Sequence, residues 1–109
     1  MKATVVRMDG EVDLASRPML TRVAALVRNS QIVVMDMARL KYADTTLLRF
    51  LIRMKKDGQD VRLVGLSGHC RRVFEVTGLA SRFPTYERTS DATHDAGSVE
   101  WLIPQRAVA

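Results

Sequence analysis

The sequence is poor in the residues that cross-link a chain, bind metals or anchor a protein in a membrane. Its 109 residues include one cysteine, two histidines and three prolines. The lone cysteine, Cys70, excludes an internal disulfide and fits a reducing compartment. No apolar run approaches the roughly 20 residues that cross a bilayer, and no signal-peptide hydrophobic segment precedes Asp9 and Gly10. We therefore expect a cytoplasmic protein without membrane insertion.

Residues that carry catalysis or bind metals are equally scarce. His69 and His94 lie far apart and outside any ligand spacing, so we predict no metal site. Cys70 follows His69 directly, but consecutive helical residues point about 100° apart, and Cys70 falls on an apolar stripe. No Gly-x-Ser-x-Gly motif is present, and residues 65–68, Gly-Leu-Ser-Gly, match no nucleotide-binding glycine pattern. The sequence therefore predicts neither an enzyme nor a cofactor.

The chain carries an excess of positive charge. Seventeen Lys and Arg against twelve Asp and Glu give a formal net charge of +5. Such a surface attracts acidic partners, which include nucleic acid, lipid headgroups and acidic proteins. The basic residues are scattered, and the densest pairs are Lys55-Lys56 and Arg71-Arg72. Nucleic-acid binding is therefore only a low-ranked alternative, and we expect no nucleic-acid partner.

The patterning indicates one α/β domain. Ile32 to Met35 form an unbroken apolar run of β-favouring residues, which is typical of a strand buried on both faces of a parallel sheet. Strands and helices alternate along the chain, which implies right-handed crossovers. We predict a mostly parallel sheet of four to five strands, flanked by helices, within residues 1–86. Residues 87–109 are predicted to be a C-terminal tail with room for one short helix, docked through Trp101, Leu102 and Ile103.

The individual elements follow from periodicity and capping signals. Strands are predicted at 3–8, 32–37, 61–64 and 85–86, with a turn at Asp9-Gly10 and a short extended piece at 12–14. Ser16 and Pro18 start the first helix, with the Ser16 hydroxyl as its cap. The clearest helix covers about 45–56, and a third covers about 69–77, ended by Gly78.

Residues 44–46, Asp-Thr-Thr, place two hydroxyls at a helix N-terminus, just beyond the carboxyl end of a predicted parallel strand. Ligands and partners usually meet an open α/β sheet at that edge. Asp44 is the predicted N-cap, and a plain helix cap is the simpler interpretation of the motif. A hydroxyl here is also within reach of a kinase, and a phosphate would add roughly −1.5 to −2 charges.

A basic stripe follows on the same helix. Arg49, Phe50 and Arg53 lie three, four and seven residues after Thr46, on one face. An aromatic side chain bordered by two arginines is a composition typical of binding hot spots. The alternative is a solvated face with Phe50 turned partly inward. Arg49 could partly neutralise a phosphate on Thr46.

Four stretches resemble the STAS domain family, named for sulfate transporters and anti-sigma factor antagonists. They are Gly-Glu-Val-Asp-Leu-Ala at 10–15, Ile-Val-Val-Met-Asp-Met at 32–37, Asp-Thr-Thr at 44–46, and Arg-Arg-Val-Phe-Glu-Val-Thr-Gly-Leu at 71–79, followed by Phe83. They resemble the family's Gly-Glu-Leu-Asp-Leu-Ala opening, its central strand ending in aspartate, its Asp-Ser-Ser or Asp-Ser-Thr phosphorylation motif and its late capped helix. The resemblance covers about Ala3 to Tyr86.

The resemblance implies a single-domain STAS-like fold and a role in partner switching as an anti-sigma factor antagonist, or anti-anti-sigma factor. In that scheme the unphosphorylated antagonist binds an anti-sigma factor with a serine/threonine kinase fold and frees a bacterial sigma factor. The kinase uses ATP to phosphorylate the antagonist, the complex weakens, and a phosphatase resets it.

Carried over by position, Thr46 is the phosphorylation site, with Thr45 as the alternative. Asp44 is the helix cap, Asp13 is an acidic residue beside the site, and Asp36 is a structural aspartate at a strand end. The predicted partner-binding residues are Asp13, Asp44, Thr45, Thr46, Leu47, Arg49, Phe50 and Arg53.

Three positions differ from the family pattern. Leu47 stands where the family usually has glycine, and we expect it to add bulk where a partner approaches. The acceptor is a threonine, whose β-branch narrows its rotamers. The family's first strand is missing, which is expected to leave a sheet edge exposed. An alternative within the same fold is a non-phosphorylated scaffold that binds another regulator or a transporter ATPase, and Leu47 favours it slightly.

Overall fold

A computed structural model describes residues 1–104 as five parallel strands and four helices. The strands are β1 (Lys2–Val12), β2 (Ile32–Ala43), β3 (Asp60–Val64), β4 (Thr85–Tyr86) and β5 (Ser98–Leu102). The helices are α1 (Arg17–Leu26), α2 (Thr45–Lys56), α3 (Gly68–Val76) and α4 (Thr89–Ala92), with 3-10 turns at Leu14–Ser16 and Leu79–Ser81. The sheet order is β4-β3-β2-β1-β5, with every pairing parallel. The predicted α/β fold is confirmed.

The sheet is buried on both faces, as the unbroken apolar run predicts. Val33 and Met35 of β2 pack in the larger core, which α1, α2 and α3 cover with their apolar stripes. Ile32 and Val34 point to the opposite face, where a smaller core includes Ala92 of α4. All four β2 residues are fully buried. The alternation of side chains along a strand explains why one run of residues supplies both cores.

The helical stripes agree with the predicted periodicity. In α2, Leu47, Leu48, Leu51 and Met54 are buried, while Ile52 is half-buried. Cys70 of α3 is 1% exposed, and burial raises the pKa of its thiol, which confirms it as a core residue.

Strands β1 and β2 run further than their apolar segments predicted. The expected turn at Asp9-Gly10 is wrong, because β1 continues to Val12 by shifting its register on β2 between Arg7 and Asp9 and again between Gly10 and Glu11. Gly10 accommodates this course with a φ of 70°, a conformation that favours glycine. The extended pairing brings the two strand ends together at Val12 and Ala43.

The predicted Ser16 cap is also corrected. Ser16 precedes α1, but its side chain does not cap that helix. Its Oγ instead accepts a hydrogen bond from the Asp13 N–H at 3.1 Å. Together with the Asp13 side chain this bond forms a capping box around the 3-10 turn at Leu14–Ser16.

The C-terminal segment contains a strand that the sequence analysis did not predict. Its short helix is α4, and Trp101 and Leu102 lie in β5 rather than in a docked helix. β5 pairs with β1, so the edge of β1 that we expected to be exposed is covered. Residues 105–109 of the predicted tail lie outside the described residues.

A buried arginine ties this segment to the sheet. Arg62 of β3 is 6% exposed. It donates to both carboxylate oxygens of Asp95 at 2.6 and 2.9 Å, to Asp60 at 2.8 Å and to the Ala92 carbonyl at 2.8 Å. These bonds fix the connection between α4 and β5 against the far side of the sheet. The Arg62 guanidinium lowers the pKa of Asp95 from its ordinary value near 3.8 to about 2.

Replacing Asp95 with Asn should lower the melting temperature and flatten its dependence on acid pH. Because the folded-state pKa of Asp95 is depressed, its contribution is complete above about pH 4 and is lost as the pH falls towards 2. Thermal unfolding of wild type and Asp95→Asn between pH 7 and pH 2 measures this. Asp91→Asn is the control, since Asp91 pairs with the exposed Arg88. Equal behaviour of the two variants would show that the Arg62 pairing does not stabilise the fold.

Candidate functional site

The site is built where β1 and β2 end side by side. Val12 and Ala43 are register partners, and the Asp44 N–H donates to the Val12 carbonyl at 3.2 Å. Asp13 and Asp44 therefore follow equivalent positions at the carboxyl edge of the sheet. This is the edge at which open α/β sheets usually bind their ligands and partners.

Each aspartate caps the turn that follows it. Asp44 Oδ1 accepts the Thr46 N–H at 2.8 Å, which confirms Asp44 as the N-cap of α2. Asp13 Oδ1 accepts the Ala15 N–H at 3.0 Å. Both side chains satisfy backbone donors that a helix start leaves without partners. The two carboxylates thus hold the starts of neighbouring helical segments in place.

The two threonines differ in their surroundings. Thr45 is exposed, whereas Thr46 is half-buried. The Thr46 side chain lines an open groove between α1 and α2, so a second molecule can reach it. The Asp44 cap holds the Thr46 backbone N–H, which fixes where the side chain leaves the start of α2.

The α1–α2 groove has a volume of about 470 Å³. It is lined by Leu14, Arg17, Leu20, Thr21, Ala24, Thr46, Arg49, Phe50 and Arg53. A second hollow of about 430 Å³ shares Thr21, Ala24, Phe50 and Arg53 with it. The groove therefore continues along the helix pair, with Thr46 near the N-terminal end of α2.

The groove is positively charged. Arg17 belongs to α1, and Arg49 and Arg53 belong to α2. The Arg53 Nε lies 3.7 Å from the Asp57 Oδ1, and both side chains are exposed. Such a pair is only weakly held in water. Within residues 1–104, Arg17 and Arg49 form no ion pair. Their guanidinium groups are available to an acidic molecule.

The groove also offers apolar contacts. Leu14 is 66% exposed, so its apolar side chain is open to contact with a second molecule. Phe50 is half-buried and packs against the larger core, which agrees with the predicted alternative of a phenylalanine turned partly inward, although it also lines the groove. Leu14 was not among the predicted site residues, because no periodicity distinguishes an exposed leucine from a buried one.

Leu47 does not belong to this surface. It was predicted to contact a partner, but its side chain is 0% exposed and lies in the larger core. The reason is geometric, because consecutive residues of a helix point about 100° apart. Thr46 faces the groove and Leu47 therefore turns towards the sheet. A leucine at this position adds no bulk where a second molecule would approach.

An aromatic pair that the sequence analysis missed borders the site. The rings of Tyr42 and His69 stack with centroids 5.0 Å apart and planes at 10°, and His69 Nε2 lies 3.3 Å from the Ala43 carbonyl oxygen. Tyr42 is 42% exposed. The two residues are 27 positions apart, so only the fold brings them together beside Asp44.

Two other candidates have local structural roles. Asp36 Oδ1 accepts the Ala38 N–H at 3.1 Å, which fits the structural role predicted for it. Gly65 has a φ of 75°, and a Cβ there would lie 2.8 Å from the Ala38 Cβ. Close backbone approach therefore accounts for the glycine that begins residues 65–68.

None of the helices in residues 1–104 combines the length and continuous hydrophobicity that a membrane span requires.

The fold and site define an α/β domain with capped hydroxyl residues at the carboxyl edge of a parallel sheet. A family model described as "Mlab, STAS domain" matches residues 1–84, which is most of the chain. The chain belongs to the STAS domain family.

Solved structures agree with this fold. The anti-sigma factor antagonist SpoIIAA in its unphosphorylated form is 18% identical, with a TM-score of 0.71 over 87% of this chain and 90% of that one. The phosphorylated form, from Bacillus, gives 0.60 at 19% identity over 84% and 88%. An anti-sigma factor antagonist from Mycobacterium paratuberculosis is 24% identical, with a TM-score of 0.71 over 83% of each chain.

A transporter domain has the same fold. The SulP transporter STAS domain from Vibrio cholerae is 17% identical, with a TM-score of 0.66 over 83% of this chain and 77% of that one. No curated protein matches the chain significantly in sequence. At these identities the structural likeness establishes the fold alone.

Removing the Asp44 cap should destabilise the domain measurably. Asp44→Ala leaves the Thr46 N–H without its acceptor, and we expect the free energy of unfolding to fall by about 1 kcal/mol. Asp44→Asn keeps an oxygen acceptor and should lose much less. Urea unfolding of the three proteins at neutral pH measures both values. An equal loss in the Ala and Asn variants would contradict the capping role.

Proposed function

We propose that the chain is an anti-sigma factor antagonist, a regulatory protein-binding domain that engages an anti-sigma factor with a serine/threonine kinase fold. The unphosphorylated form binds and frees the sigma factor, and phosphorylation of Thr46 weakens the complex until a phosphatase removes the phosphate. The observation that carries this proposal is the half-buried Thr46, held by the Asp44 cap and open to the α1–α2 groove.

Thr46 is preferred to Thr45 because of where the two side chains lie. Thr46 lines the groove, so a phosphate there changes the surface that a partner would touch. Thr45 is exposed and outside the groove lining. A phosphate on Thr45 would extend into solvent and alter that surface less.

The expected effect of the phosphate follows from charge and space. It adds roughly −1.5 to −2 charges within two residues of Asp44, whose carboxylate already accepts the Thr46 N–H. Arg49, three residues on along α2, is positioned to neutralise part of that charge. The phosphate therefore occupies the end of the groove and pairs with Arg49, which would otherwise bind the partner.

The chemistry of the groove indicates what the partner presents. Arg17, Arg49 and Arg53 favour a carboxylate-bearing segment, since arginine forms bidentate bonds with carboxylates. Leu14 and Phe50 offer an apolar contact beside them. A partner segment that combines acidic residues with one large apolar side chain fits this surface.

Incubation with the cognate kinase and ATP should place one phosphate on the chain. Mass spectrometry of the digested protein should locate it at Thr46, Thr46→Ala should remain unmodified, and Thr45→Ala should be modified normally. The result that would reject the phosphoswitch is the absence of modification at both threonines. Modification of Thr45 alone would move the switch to the neighbouring residue.

Reversing the charge of Arg49 should weaken binding to the anti-sigma factor. We expect Arg49→Glu to raise Kd by about tenfold or more, since a rim charge of the interface changes sign. Arg72→Glu is the matched control, because it makes the same change on the exposed face of α3 and should have less than about a threefold effect. Calorimetric titration with the purified partner gives both constants. Equal effects would locate the interface elsewhere.

A second candidate is a non-phosphorylated STAS scaffold subunit that binds a transporter ATPase or another regulator. The observation that favours it is the fold that the chain shares with the SulP transporter STAS domain. Co-purification from the native host separates the candidates. A kinase-type anti-sigma factor supports the first, and a transporter ATPase supports the second.

A further inference from the structure

The two edges of the sheet are protected very differently. Edge strand β4 has two residues, with Pro84 before it and Glu87 after it. Short length, proline and charge are the usual means of blocking an edge from further pairing. Edge strand β5 has five residues, Ser-Val-Glu-Trp-Leu, with neither lysine nor proline among them. Its one charged residue, Glu100, pairs with Lys2 at 3.2 Å.

β5 carries an exposed apolar stripe along this open edge. Val99 and Trp101 of β5, and Ile103 directly after it, follow at two-residue spacing and are 41%, 55% and 52% exposed. Val99 and Trp101 are register partners of Ala3 and Val5, which belong to the smaller core. The stripe therefore lies on the same face of the sheet as the smaller core and continues it onto the exposed surface. In residues 1–104, β5 has a partner strand on one side only.

We propose that β5 pairs antiparallel with β5 of a second copy of this chain, with the two-fold axis at Trp101. Residues that face each other across an antiparallel pair share one face of the sheet, so a symmetric pairing is centred on a single residue. Centring on Glu100 would place two carboxylates opposite each other, which is destabilising. Centring on Trp101 places Trp101 opposite Trp101 and Val99 opposite Ile103.

The Trp101 register is self-complementary in charge and in hydrogen bonding. Glu100 then lies opposite Leu102, so no like charges meet. The Ser98 N–H donates to the Met1 carbonyl on the β1 side, so the free N–H and C=O groups on the outer edge are those of Val99, Trp101 and Ile103, and these gain partners in this register. Each copy supplies the same patch, as a two-fold interface requires. The α1–α2 groove contains no residue of β5, so the dimer leaves it open.

The single tryptophan makes the dimer directly measurable. Sedimentation equilibrium over a concentration series should show a rise from the 12.2 kDa chain mass towards twice that value. The emission of Trp101, the only tryptophan in the chain, should shift to shorter wavelength over the same range. A constant monomer mass with constant emission up to the solubility limit would overturn the proposal.

Two kinds of variant test the register. Trp101→Glu places two carboxylates across the axis and should raise the dimer Kd by about tenfold or more, with an unchanged circular dichroism spectrum showing that the domain folds. Trp101→Cys brings two cysteines together, since residues opposite each other lie about 5 Å apart. Mild oxidation should therefore cross-link it as a covalent dimer.

Val99→Cys is the matched control for the cross-link. In the Trp101 register the two Val99 positions are about 13 Å apart along the strands, which is beyond disulfide reach. The native Cys70 is 1% exposed and gives little background. Cross-linking of Val99→Cys but not of Trp101→Cys, or an unaltered dimer in Trp101→Glu, would refute this interface.

Discussion

The site depends on the parallel pairing of β1 with β2 beyond their apolar segments. If β1 ended at Gly10, residues 11–13 would form a loop of their own and Asp13 would have no fixed relation to Asp44. Two register shifts keep β1 on β2 until Val12 meets Ala43. Asp13 and Asp44 therefore follow the two strands at the same edge of the sheet. Both helices that form the groove begin shortly after these aspartates. The position of Thr46 is thus a property of the sheet as much as of α2.

The helix that presents Thr46 serves the core and the surface with adjacent residues. Thr46 lines the groove while Leu47 is fully buried. Removing core contacts at Leu47 would therefore disturb the position of the hydroxyl next to it. Phe50 has both roles in one side chain, because it packs against the core and also lines the groove. A binding surface made in this way is rigid, because its residues continue directly into a close-packed interior.

The sequence predicted best what is decided locally. The Asp44 cap and the helix after it depend on bonds two to four residues apart, and the β2 run depends on composition. The continuation of β1 past Gly10 was not predictable, because it depends on pairing with residues some thirty positions away. β5 was missed for a different reason. Its apolar residues Val99 and Trp101 lie on an exposed face, so their alternation indicates no core. The Tyr42–His69 stack depends on the fold entirely.

Within residues 1–104 the edge strand β5 follows every other strand, and this order has a consequence during synthesis. On the ribosome, β1, β2 and β3 emerge long before β5, and domains begin to fold as they emerge. Throughout that interval the outer edge of β1 has no neighbour, and Arg62 lacks the Asp95 carboxylate that later neutralises it. Nascent chains on one polysome would present this same vulnerable edge to one another. That edge can close only after residues 98–102 have been synthesised, so newly made chains stay exposed to misassembly at least until then.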